Sequence, residues 1–95
     1  MDDLIRNLMT LGLTEYEARV YAALVGIGEG SARHIHEASK VPRPRVYDIA
    51  EGLAARGFIT IRRGNPHVYI PVEPAVVIHH LKSVADAAAT AAVQG

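Results

Sequence analysis

Two prolines, Pro42 and Pro44, constrain the fold of this chain more than any other feature of its sequence. Pro42 disfavours helical geometry at Val41, the residue before it, so a preceding helix has to end there or earlier. Pro44 is compatible with a helix only in its first turn, where the missing N–H is no loss. We therefore expect one helix to end before Val41, a turn of three or four residues, and a new helix to begin near Arg43.

Apolar residues recur at helical spacing on both sides of this turn, with Ser31 as a capping residue for the earlier helix. The apolar face of that helix consists of Ala32, Ile35 and Ala38. The later helix carries Val46, Ile49, Ala50 and Leu53 on its apolar face. Gly57 supplies a left-handed residue for its end. The pair therefore reads as a helix-turn-helix.

Two more helices are predicted upstream. The leading one has its apolar face at Leu4, Ile5, Leu8 and Met9, and Leu11-Gly12-Leu13 breaks it. Thr14 and Glu17 have the spacing of a capping box at the start of the next helix. Its apolar stripe consists of Ala18, Val20, Tyr21, Ala22, Leu24 and Val25. We expect Gly26 and Gly28 to end this helix after about three turns.

A β-hairpin is predicted after the last of these helices. Residues 58–62 and 67–70 are rich in β-branched and aromatic side chains, and residues 63–66 have turn chemistry. Helices followed by a basic hairpin are the order of a winged helix, in which the hairpin, or wing, holds the DNA backbone or minor groove. The predicted fold class is therefore mainly α with a small β-hairpin: a winged helix-turn-helix with an extra N-terminal helix and a C-terminal dimerisation helix.

The charge is distributed unevenly along a chain whose net charge is zero. Residues 1–39 contain three basic and six acidic side chains, whereas residues 40–67 contain six basic and only two acidic ones. A basic segment inside a neutral domain is what a one-sided contact with a polyanion requires. An ordinary solvated face is the alternative explanation for such an asymmetry taken alone.

Three stretches of the chain, residues 11–21, 41–49 and 53–59, resemble the winged-helix domain of the TrmB family. The similarity extends over roughly residues 4–81. It implies a transcription factor that binds promoter DNA as a dimer and controls sugar and metabolic genes, commonly in archaea. Larger members of that family continue into an effector-binding domain. A ligand-sensing repressor, with its effector in a pocket between the domain and the dimer helix, is one alternative function, although the sequence offers no polar cluster for such an effector.

The predicted DNA contacts fall into three groups. Arg43 and Arg45, in a recognition helix near 43–56, are the expected readers of guanine in the major groove. Pro44, Tyr47 and Asp48 are further predicted contacts on the same helix. Tyr47 either contacts DNA or packs against the preceding helix. Asp48 either accepts a hydrogen bond from cytosine or orients a neighbouring arginine. The wing, residues 62–67, contributes backbone contacts from Arg62, Arg63, Asn65 and His67. Secondary phosphate contacts are Ser31, Arg33 and Lys40. Arg56 is left out because it lies late in the helix.

The region after residue 73 is predicted to be a separate helical unit. It divides the chain into a DNA-binding domain, residues 1–73, and a C-terminal helix, residues 74–95, which would dimerise two chains. Four-and-three spacing, typical of a coiled-coil seam, relates Val77, Leu81, Val84, Ala88 and Ala91. The alternative is an alanine-rich helix that docks on its own domain.

Other classes of function find little support in the sequence. The chain has no cysteine, and its paired histidines, 34 with 36 and 79 with 80, point to different helical faces, so no cofactor or metal is expected. No nucleophile motif or phosphate-binding loop indicates an enzyme. An acidic N-terminus without a long apolar run predicts a cytoplasmic protein. A protein-interaction module of the transcription apparatus is the other alternative function.

Overall fold

Five helices and one antiparallel hairpin follow each other in the predicted order. The computed structural model describes the backbone of residues 2–94 and the side chains of residues 2–86. The elements are α1 (Asp2–Thr10), α2 (Glu15–Ile27), α3 (Ala32–Ser39), α4 (Arg43–Ala55), β1 (Ile59–Arg62), β2 (Val68–Pro71) and α5 (Pro74–Gln94). This architecture confirms the mainly helical winged-helix class.

The ends of α2 are set by short-range hydrogen bonds. The Thr14 hydroxyl accepts from the Glu17 amide at 3.1 Å, and the Glu17 carboxylate accepts from the Thr14 amide at 2.8 Å, so the predicted capping box is present. Gly28 ends the helix with a φ of 89°, which favours glycine. The expectation that Gly26 also ends it is wrong. A glycine inside a helix only weakens it, and α2 continues to Ile27.

The turn between α3 and α4 has the predicted form. Ser31 caps α3, and Lys40 ends it in the left-handed conformation with a φ of 63°. The next helix begins at Arg43 with Pro44 in its first turn, as the proline pattern requires. Gly57, with a φ of 83°, follows the end of α4.

The core lies between α2, α4, the hairpin and the first turns of α5. Its largest fully buried side chains include Tyr21, Tyr69, Phe58, Leu8, Leu24, Ile35 and Leu53. Two residues that the sequence placed on apolar helix faces, Met9 on α1 and Ala38 on α3, are exposed. The buried face of α3 is centred on Ala32, Ile35 and Ser39, and the Ser39 hydroxyl accepts from the Val41 amide at 3.1 Å. Ala38 lies at the edge of that face.

A single β-bridge connects the hairpin to the segment just before α3. The strands β1 and β2 pair from Ile59 opposite Pro71 to Arg62 opposite Val68. Gly30 adds a bridge, because its amide donates to the Tyr69 carbonyl at 3.0 Å and its carbonyl accepts from the Tyr69 amide at 2.8 Å. A Cβ atom at position 30 would lie 2.8 Å from the terminal methyl group of Ile27 and 3.0 Å from the Cβ atom of His34, so glycine fits here without moving either side chain. The bridge brings the N-terminus of α3 beside the wing.

The first turns of α5 pack on the chain's own domain. Val77 is 1% exposed and Leu81 is 4% exposed, and both belong to the hydrophobic core. These two positions of the predicted seam are therefore not available to a second chain, because the helical spacing that suits a coiled coil also suits packing on a core. Val84 is 54% exposed. The side chains of Ala88 and Ala91 lie outside the described residues.

Candidate nucleic-acid interface

One groove of about 500 Å³ lies between the N-terminus of α3, the start of α4 and the wing. We call it the wing groove. Six of the predicted DNA contacts line it: Ser31, Arg33, Arg43, Tyr47, Asn65 and His67. It is also lined by Ala32, His34, Gly64, Pro66 and Tyr69. The structure therefore places residues from three separate segments on a common surface.

The outer face of α4 carries the side chains that the sequence predicts to contact DNA, and its inner face anchors the helix. Val46, Ala50 and Leu53 are fully buried. All five predicted contacts on the helix are exposed: Arg43, Pro44, Arg45, Tyr47 and Asp48. Tyr47 keeps 42% of its surface and lies in the wing groove.

The other six predicted contacts lie outside the wing groove: Arg62 and Arg63 on the wing, and Lys40, Pro44, Arg45 and Asp48 near the start of α4. The guanidinium of Arg45 stands 5.6 Å from the ring centroid of Tyr16 on α2, a cation–π distance that directs it along the side of α4. Lys40 is exposed in the turn before α4. Lys40, Pro44, Arg45 and Asp48 therefore form exposed surface around the N-terminus of α4, beside the wing groove.

Both wing arginines are held by carboxylates. Arg62 donates to Glu29 at 3.1 Å, and Arg63 donates to both carboxylate oxygens of Glu51 at 2.8 and 3.3 Å. The hydrogen bond from Arg63 lowers the pKa of Glu51 below its usual value, and it raises the pKa of Arg63. The sequence pattern suggested Asp48 as the carboxylate that orients an arginine, and the role of Glu51 was not predicted. The available signal was that Glu51 follows Tyr47 by one helical turn and so shares its face.

Two histidines in the wing groove each accept a backbone hydrogen bond at the Nδ1 atom of the ring. The Nδ1 atom of His67 accepts from the Gly64 amide at 3.0 Å, and that of His34 accepts from the Ser31 amide at 3.3 Å. A neutral ring then carries its proton on Nε2 as a donor. His34 lines the wing groove although it is not among the contacts predicted from the sequence. Among the described residues, no group of histidines and carboxylates is arranged to hold a metal ion.

Two other arginines act within the domain. Arg33 donates to Glu37 at 3.0 Å, which lowers the pKa of that carboxyl. Arg56 lies 3.7 Å from the Glu17 carboxylate and 4.8 Å from the Phe58 ring centroid. These two contacts hold the Arg56 side chain against its own domain.

The second helix of a helix-turn-helix and the following hairpin border one groove that arginines line. This arrangement is that of the winged-helix class of DNA-binding regulators. Residues 8–75 match the family described as "Sugar-specific transcriptional regulator TrmB". The chain belongs to this TrmB family, a family of transcriptional regulators and not of enzymes. Among the described residues, no helix has both the length and the apolar character needed to cross a membrane.

The similar proteins include archaeal regulators. The chain is 33% identical over 81 residues to the sugar-sensing regulator TrmBL1 of Pyrococcus furiosus, covering 85% of this chain and 24% of that protein. It is 39% identical over 74 residues to the DNA-binding repressor TrmBL2 of Thermococcus kodakarensis, covering 78% of this chain and 27% of that protein. The solved structure of TrmBL2, an archaeal chromatin protein, has a TM-score of 0.88 at 31% identity and covers 98% of this chain and 37% of that one. The chain thus spans about a quarter of the length of these curated relatives.

Proposed function

We propose that this chain binds double-stranded DNA sequence-specifically and regulates transcription, with α4 in the major groove and the wing on the backbone or minor groove. The wing groove is the observation that carries this proposal. It unites Arg43 and Tyr47 of α4 with Asn65 and His67 of the wing. A duplex bound there would meet the helix and the hairpin at the same time.

The residues at the start of α4 are proposed to read bases. Arg43 is exposed in the first turn, and an arginine at this place can donate to both acceptors of guanine. Arg45 and Asp48 flank it, and Pro44 and Tyr47 offer apolar surface for a thymine methyl group. Each correct bidentate contact would contribute about 1 to 3 kcal/mol of discrimination.

The remaining contacts are proposed to bind the DNA backbone without reading sequence. The wing residues of this group are Arg62, Arg63, Asn65 and His67, and those around α3 are Ser31, Arg33 and Lys40. Side chains at a loop and at helix ends can follow phosphates without demanding a particular base. Their contribution would therefore be affinity rather than specificity.

The relatives support DNA as the ligand. The Thermococcus kodakarensis relative is named a DNA-binding repressor, and the related solved structure is described as showing a mode of DNA binding. Sugar sensing is not part of the proposal, because the shared region covers only 24% of the sugar-sensing relative. We propose that the protein acts in the cytoplasm, where it would meet the DNA.

We further propose a homodimer formed through the C-terminal helix, with residues 1–73 as the DNA-binding domain. Because Val77 and Leu81 are in the core, the contact would begin at Val84. Two-fold pairing would place two α4 helices in successive major grooves, roughly 34 Å apart. Such a dimer would select a pseudo-palindromic site.

A salt titration of DNA binding tests the proposed function. Because phosphate contacts release counterions, the logarithm of the binding constant should fall linearly with the logarithm of salt concentration, with a slope of roughly −5 to −8 for a dimer. Fluorescence anisotropy of a labelled duplex gives this slope. No binding, or binding that salt leaves unchanged, would contradict the proposal and favour a protein-interaction module.

A further inference from the structure

The two wing arginines differ from the cations around the start of α4. Arg62 and Arg63 each contact a glutamate that is distant in sequence, Glu29 and Glu51. Among the side chains that the structure describes, Lys40, Arg43 and Arg45 form no ion pair with a carboxylate. The start of α4 is therefore open to an anion, whereas the positive charge of the wing is already matched.

The contact between Arg63 and Glu51 joins the wing directly to the recognition helix. Glu51 lies on α4 one turn after Tyr47 and two turns after Arg43, so it shares their face. Both carboxylate oxygens accept from the Arg63 guanidinium. A guanidinium that binds a carboxylate through two donors can bind a phosphate in the same bidentate way.

We propose that Glu51 is a positioning residue that limits DNA affinity by holding the Arg63 guanidinium against α4. On binding, Arg63 exchanges the carboxylate for a DNA phosphate, and Glu51 stays beside the duplex as an unmatched negative charge. This inference rests on the proposed function, because it assigns a regulator of affinity within the same interface.

The exposure of the pair makes the exchange feasible. The side chain of Arg63 is 61% exposed and that of Glu51 is 49% exposed, and solvated ion pairs of this kind are weak and screened by salt. A DNA duplex carries one negative charge for about every 1.7 Å of its axis, so it offers the guanidinium a much denser set of acceptors. Removing the carboxylate should therefore release Arg63 and also remove a repulsion.

The variant Glu51→Gln tests the inference. We expect it to bind a labelled duplex about threefold to tenfold more tightly than the wild type, with a salt slope steeper by about one. Glu15→Gln is the matched control, because it makes the same charge change at an ion pair, with Arg19, on the side of α2 that faces α1. The control should leave the affinity and the slope unchanged.

An NMR measurement on the wild-type protein tests the same step without a substitution. The ¹⁵N signals of the Arg63 guanidinium should shift when the duplex is added, because the group changes its partner. Signals that stay in place would overturn the inference, as would a Glu51→Gln variant that binds no more tightly than the wild type. Wild-type protein that does not bind DNA would instead refute the proposed function, so the two failures are distinguishable.

Discussion

The hydroxyl group of Tyr21 links α2 to the segment that leads into α5. The ring is fully buried, and the hydroxyl donates a hydrogen bond to the Val72 carbonyl. Burial, assisted by the negative charge of Glu73, raises the pKa of Tyr21 from 10.0 to about 12. The folded state therefore favours the neutral phenol more strongly than the unfolded state does.

This shift predicts a loss of stability at high pH. The contribution of Tyr21 is fully present below pH 10, where the unfolded phenol is neutral, and it disappears as the pH rises towards 12. The loss from this group is about 2 to 3 kcal/mol in the free energy of unfolding. Tyr69, whose pKa burial also raises, adds to it.

The variant Tyr21→Phe isolates that contribution. At pH 7 it should lower the free energy of unfolding by about 1 kcal/mol, because the Val72 carbonyl loses its partner. Between pH 10 and 12 it should lose less stability than the wild type does. Urea denaturation at several pH values measures both effects, with Tyr47→Phe as an exposed control. Parallel curves for wild type and Tyr21→Phe would refute the assignment.

Local patterns allowed several residues to be predicted from the sequence. The capping box at Thr14, the cap at Ser31 and the start of α4 at Arg43 depend on neighbours within four residues, so the sequence displays them directly. The glutamate partners of the wing were missed for the opposite reason. The contacts of Arg62 and Arg63 span 33 and 12 residues, and only the folded hairpin brings these charges together.

The helix α4 and the wing are predicted to make different kinds of contact. Arg43→Ala removes a base reader, so it should relax the base preference at one position by about 1 to 3 kcal/mol. Arg63→Ala removes a phosphate contact, so it should weaken binding to all sequences alike and reduce the salt slope by about one. Sequencing the fragments that each variant selects from random DNA distinguishes these effects.

A third variant provides the control for this pair. Arg6 is exposed on α1 and lies outside the wing groove, so Arg6→Ala should retain wild-type selection and affinity. If Arg43→Ala and Arg63→Ala both behaved like Arg6→Ala, the assignment of the two elements would be wrong.

The elements differ in how far their packing could be predicted. The helix boundaries at Pro44, Gly28 and Gly57 followed from backbone geometry, and the hairpin followed from two β-rich runs on either side of a turn. The packing of α5 did not follow, because apolar residues at spacings of three and four suit either a second chain or the chain's own core. Val77 and Leu81 pack into the chain's own core.

The whole molecule is elongated, with extents of 48 × 26 × 22 Å. Helix α5 has 21 residues, which corresponds to a length of about 31 Å. Only its first turns contribute described side chains to the core, and Val84 is an exposed apolar residue beyond them. This geometry fits the proposed pairing of two α5 helices.

The proposed dimer predicts the effect of a charge at Val84. Val84→Glu should shift the protein from dimer to monomer in sedimentation velocity experiments and weaken DNA binding, because a carboxylate is costly in an apolar contact. Ala85→Glu adds the same charge one position away from the predicted seam and should remain dimeric. A Val84→Glu variant as dimeric as the wild type would exclude this contact.

The central claim is that α4 and the wing form a single surface for a DNA duplex. Titration of ¹⁵N-labelled protein with a short duplex, followed by amide NMR signals, tests it at the level of single residues. We predict that the amide signals of the non-proline residues within 43–47 and 64–67 shift together and saturate at the same duplex concentration. Shifts confined to one of these segments, or centred on the α1 face around Ile5 and Met9, would contradict the claim.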